Sequence, residues 1–237
     1  MKTSEQFIEI TYIFHYQTKD EHSYPLRFEA DTMALVQDKR ETPPDWARLE
    51  NNKCTNCPLN EKDHPYCPVA KNIALLNSKF VHEVSFRPTV VCVQTKERTY
   101  LKNATVQEGL YGIFGLVMAT SGCPHMELFK PMARFHLPFS STMETMVRNT
   151  SLYLLKQFLL KKNGMPFDAD FKNLEHLLRQ VQEVNRGFIK RIRTLSQTGD
   201  AERNAIVSLD GFAGILSIEL SSDFDKMQKV ILLSTDS

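Results

Sequence analysis

The chain has 237 residues, 42% apolar and 24% charged, with Lys plus Arg (29) almost equal to Asp plus Glu (28). That length and composition describe a globular protein able to bury a substantial core. The near-zero balance argues against nucleic acid and anionic membrane as partners. No stretch approaches the roughly 18–20 apolar residues of a membrane span, and the mixed-charge start lacks the apolar run of a signal peptide. The expected location is therefore cytoplasmic.

In chain order, residues 7–17 alternate, with Ile8, Ile10, Tyr12, Phe14 and Tyr16 on one side. This predicts a strand, paired as a hairpin with residues 24–30, where Pro25 points to a sheet edge. Residues 37–67 carry Pro43, Pro44, Pro58 and Pro65 and predict an irregular segment with a short helix at 45–50. Pro68 suits a first helical turn, and a helix is expected over 68–80. Residues 82–95 predict a strand broken or bent at Pro88, with 98–103 as its partner across a turn at Lys96 and Glu97. A helix over 106–120 follows, ending near Gly122, and then helices near 126–134, 141–162, 169–197, 201–221 and 223–232.

This order is an α+β protein: an N-terminal antiparallel hairpin or small sheet, followed by a mostly helical C-terminal half. The stretch 164–170 is the best linker, dividing a mixed domain with the cysteines (1–163) from a helical region (164–237) packed on it.

Five cysteines in a chain without an export signal argue for metal or redox chemistry rather than disulfides. Cys54 and Cys57 form a CxxC pair, Cys67 follows after nine residues, and Cys123 lies far downstream in TSGCPH. Two cysteines spaced so can turn both sulfurs and the loop's N–H groups to one centre. Cys54, Cys57, Cys67 and Cys123 are therefore the expected ligands of a zinc ion or an iron–sulfur (4Fe–4S) cluster, and spacing does not separate the two. His64 and His125 are alternative ligands. Packed reduced thiols are the bland alternative; a thiol–disulfide pair fits poorly, because Pro58 follows instead of a helix. Cys92, within an apolar run, is expected in the core.

The motifs CxxCPL, CPVA and SGCP, followed by KPMARFHLPF and a helix with Arg148 and Tyr153, resemble an uncharacterised bacterial family of about this length. The resemblance covers most of residues 46–160. It implies no activity, only that the cysteine, Arg and His positions belong together.

The leading functional expectation is a metal-stabilised protein with a regulatory or sensing role. The alternative is an enzyme: Cys123, at a helix N-terminus that lowers its pKa, would act with His125 or His136 while Lys130 or Arg134 holds a small anionic substrate. The glycines Gly109, Gly112 and Gly115 predict close helix packing rather than phosphate binding. Leu174, Leu178, Val181, Asn185, Phe188, Ile192 and Leu195 form a seam that serves an intramolecular hairpin first, and a homodimer or protein partner through the 169–197 helix second. Arg186, Lys190, Arg191 and Arg193 read as a solvated basic face.

Overall fold

The computed structural model describes residues 6–18, 20–37, 42–77, 85–193 and 224–232. The expected helix at 201–221 lies outside them, as do the ends of the 68–80 and 169–197 predictions.

Strands β1 (Phe7–His15), β2 (Glu21–Glu29), β3 (Pro88–Gln94) and β4 (Thr99–Thr105) form one antiparallel sheet in the order β2-β1-β3-β4. The period-two pattern sets the buried face: Ile10, Tyr12 and Phe14 from β1, Tyr24, Leu26 and Phe28 from β2, and Val91 and Val93 from β3 are all buried. Pro25 sits opposite Thr11 on the edge strand β2, where its missing N–H removes no ladder bond from a second neighbour. β3 begins at Pro88 itself after a turn at Ser85 and Phe86, so among the described residues the strand is broken there rather than bent; residues 82–84 lie outside them.

Helix α1 (Pro68–Asn77) and helix α2 (Val106–Ala119) lie in the same core as this face. A Cβ on Gly109 would strike the Phe14 ring, and one on Gly112 would sit 2.5 Å from the Tyr12 hydroxyl. The small-residue stripe thus lets α2 lie directly on β1. The segment expected as one helix over 126–134 is a 3₁₀ helix (Pro124–Phe129) running into a short α3 (Lys130–Arg134), because Pro131 removes an N–H at the junction.

Helix α4 (Thr142–Lys162) starts at a Ser141 cap, whose hydroxyl accepts the Glu144 N–H while the Glu144 carboxylate takes the Ser141 N–H. Helix α5 (Lys172–Arg193) and α6 (Asp225–Ile231) complete the described elements. Asp168 ties α4 to α5: its Oδ2 accepts from the Tyr153 hydroxyl (2.6 Å) and the Asn173 N–H (2.9 Å), and its own N–H donates to Gln157. Leu174, Leu178, Val181, Asn185, Phe188 and Ile192 are buried within this chain. Leu174 and Leu178 pack with Met146 and Tyr153, whereas Val181, Val184, Phe188 and Ile192 join the sheet core. One helix therefore belongs to both hydrophobic clusters. Among the described residues no helix is long and apolar enough to cross a membrane.

Candidate metal centre

Three segments carry the four cysteines, and α5 packs against the loop of Cys54 and the turn that follows Cys123. The first is the loop from the 3₁₀ turn Asp45–Ala47 through Cys57. It is pinned by Arg191, which is only 2% exposed. Arg191 Nη1 donates to the carbonyls of Trp46 (2.7 Å) and Arg48 (2.6 Å), and Nη2 to that of Leu49 (3.3 Å). Buried carbonyls without such donors would be costly. Arg191 is therefore not part of a solvated face, although Arg186, Lys190 and Arg193 are exposed. Its spacing shows why: it stands three residues after Phe188 and seven after Val184, on the buried side of the helix.

Further along the loop, Asn56 donates to the Gln180 backbone carbonyl and side-chain oxygen, and Thr55 to Glu183. Cys54 lies against Gly187, where a Cβ would stand 2.6 Å from its Sγ. The Cys54 thiol points to the Val184 carbonyl at 3.9 Å. The Cys57 N–H closes the CxxC turn on the Cys54 carbonyl at 3.0 Å.

The second segment is Cys67, whose N–H donates to Ala47 and whose carbonyl accepts the Lys71 N–H as α1 begins. The third is Cys123, at the start of the 3₁₀ helix, whose carbonyl accepts the Met126 N–H at 2.9 Å. His125 Nε2 bonds the Asn56 carbonyl at 2.8 Å and so ties this third segment to the CxxC loop. That contact gives His125 a tethering role. His64 is exposed.

The four thiols are close enough to feel one another's charge. Burial pushes the Cys54 thiol up to about 12, and thiolates at Cys67, Cys123 and Cys57 would raise it further, with Arg191 opposing. Burial pushes Cys123 up to about 11, against the pull of the nearby His125 and Met126 N–H groups, and Cys67 and Cys57 add to the rise. The expectation of a lowered Cys123 pKa is thus wrong: a 3₁₀ turn gives little dipole, and desolvation dominates. Conversely, Cys67, Cys54 and Cys57 as thiolates would hold the Arg191 proton, while burial draws its pKa down. The sulfurs are grouped without being closed around a point. Among the described residues, no three His, Cys, Asp or Glu side chains stand as a ready metal-ligand set. Cys92 is apart, buried in β3 opposite Ile13 and Leu101.

The other predicted residues go elsewhere. Lys130 pairs with Glu127 at 2.8 Å, and Arg134 donates to the Ala30 carbonyl. His136 takes the Tyr12 hydroxyl at 2.6 Å. Burial first, and then Arg148, depress His136 to about 4, while burial raises Tyr12. Both groups are therefore neutral near pH 7, and the imidazole tautomer decides which of them donates. These contacts join Lys130, Arg134 and His136 to Glu127, Ala30 and Tyr12 rather than to Cys123. Arg191 and Gly187 were missed as site residues; the buried-face position of both on α5 was the available signal.

A sheet of four antiparallel strands, a mostly helical second half and a cysteine group on α5 define an α+β protein with a thiol-rich centre. The chain belongs to the family described as a domain of unknown function, DUF6901, which matches residues 10–231. No curated protein and no solved structure matches it.

Proposed function

We propose that Cys54, Cys57, Cys67 and Cys123 bind one metal centre, a zinc ion or a 4Fe–4S cluster, in a cytoplasmic protein with a regulatory or sensing role. What supports this reading is that four thiols from three separate segments lie within electrostatic reach of Cys54, which packs on Gly187 of α5, while the buried Arg191 lies within reach of Cys67, Cys54 and Cys57. Four thiolates with zinc or a cluster leave net negative charge, and a buried guanidinium offsets part of it. The N–H groups near Cys123 would stabilise a bound thiolate in the same way.

Binding would convert loosely held thiols into a cross-link between the 45–67 loop, α1 and the 124–129 turn, so that metal affinity becomes folding energy. Loss or oxidation of the centre would release that loop from α5, which is the proposed signal. Purification without oxygen, followed by visible spectra and elemental analysis, tests the identity. Iron with an iron–sulfur chromophore, or zinc near one per chain, supports the reading. A colourless protein free of both metals after growth with each supplied opposes it.

A further inference from the structure

Beside the cysteine group, and not using it, a cavity of about 520 Å³ opens between α2, α3, α4 and α5. That volume lies within the range of small-molecule sites. Its wall is largely apolar: Leu116, Met118, Met126, Phe129, Met132 and Leu137 contribute. Three of these are methionines, whose flexible thioethers adapt to varied apolar shapes. Gly115 opens it on the α2 side, and Phe139 stands in it with a left-handed backbone, φ 60°. A phenylalanine held in that region is strained, and such strain collects at binding sites.

The wall also carries Gln107, Tyr111, His136 and the hydroxyls of Ser140, Ser141, Thr142 and Thr145, but its charged side chains are Lys102, Glu108 and Arg148. Lys102 is paired with Glu108 at 3.0 Å. Glu144, one turn before Arg148, accepts from the Ser141 N–H and hydroxyl. Among the described lining residues, Arg148 is the remaining cation. One of its nitrogens, Nη2, donates to the carbonyls of Phe135 (2.5 Å) and Met132 (3.4 Å). The rest of the fork is available to a planar acceptor, and carboxylate geometry matches it. On α5, Asn185 lines the cavity but is only 2% exposed, and its Oδ1 is shut away from the space a ligand would fill.

We infer that this cavity binds a small carboxylic acid with an apolar body, its carboxylate on Arg148. The site stands whether or not the cysteines hold metal. α5 carries Asn185 one residue after Val184, the carbonyl facing Cys54, so the two sites share one helix.

The test is calorimetric titration of the full chain at neutral pH with octanoate and octanol, before and after chelator treatment. Octanoate should bind at least about tenfold tighter than octanol, and Arg148→Gln should remove that preference. If circular dichroism shows Arg148→Gln to be unfolded, Arg148→Lys, which keeps charge but loses the fork, should weaken octanoate and leave octanol unchanged. Binding that persists in metal-free protein supports the cavity while leaving the metal proposal to its own measurement. Two flat titrations, octanol equal to octanoate, or a preference that survives loss of the guanidinium would overturn the inference.

Discussion

Gly187 is where the cysteine group is most sensitive to a single methyl group. Ala would raise local helix propensity by about 1 kcal/mol, but its Cβ would stand 2.6 Å from the Cys54 sulfur. Crowding of that kind costs about 1–3 kcal/mol, so Gly187→Ala should lower the midpoint of urea unfolding despite the better helix former. It should also reduce metal uptake, measured by elemental analysis. Arg191 is the second sensitive residue. Arg191→Met leaves the carbonyls of Trp46, Arg48 and Leu49 without their donor. At about 1–3 kcal/mol for a buried group left unpaired, the expected loss is at least 2 kcal/mol, read from the same unfolding curves.

His136 gives a pH prediction. Its folded pKa of about 4 lies below the ordinary value of 6.5. The folded state therefore resists protonation, and the stability tied to the neutral ring is full above pH 6.5. It is lost as pH falls from there toward 4. Stability of wild type relative to His136→Gln should decline across that window in pH-resolved chemical denaturation. A constant difference would count against the depressed pKa.

Among the elements, α5 does the joining. Its N-terminal half packs with α4 through Leu174 and Leu178, and its C-terminal half closes the sheet core and backs the cysteines. Asp168 holds the α4–α5 connection. Burial works to raise its pKa, but hydrogen bonds from Tyr153 and the N–H groups of Asn173, Asp170 and Leu174 outweigh it and keep the carboxyl below its usual range. Asp168→Ala should destabilise the chain by about 1–2 kcal/mol, as loss of a helix-capping residue does. Hydrogen exchange should localise the loss to the start of α5 more than to the sheet.

The elements were legible in the sequence wherever one periodicity ran long enough. The alternation of β1, the apolar run of α2 and the seam of α5 each mark their buried face directly. Boundaries were less legible where prolines intervene, as at Pro88 and in the 124–134 segment. The sequence pattern named the four cysteines, since CxxC and Cys-Pro are local signals. It could not name Arg191, because a charged residue among Arg186, Lys190 and Arg193 reads as surface until the helix is docked. Nor could it show that Cys123 is buried deeply enough to lose the acidity its place before Pro124 suggested. Desolvation depends on what packs over a residue, which spacing does not record. The cavity was likewise invisible, being formed by parts of four helices brought together only in the fold.

At the scale of the whole molecule, the proposed centre staples the irregular 45–67 loop to the helical half. Without metal, the Cys54 and Cys123 thiols have folded pKa values of about 12 and about 11, both above the ordinary value of 9.0. Neutral thiols are thus favoured in the folded state, and metal-free protein should lose stability as pH rises through 9 toward those values. Metal-bound protein, with its thiols already deprotonated, should lack this alkaline weakness and instead be undermined by acid, as protons compete for the sulfurs.

The most direct measurement is the metal content of anaerobically purified wild type beside Cys123→Ser and Cys92→Ser. The proposed geometry gives one centre per wild-type chain, its loss or severe depletion in Cys123→Ser, and its retention in Cys92→Ser. Wild-type protein that carries neither zinc nor iron, or a Cys123→Ser variant loaded as fully as wild type, would contradict the shared four-sulfur site.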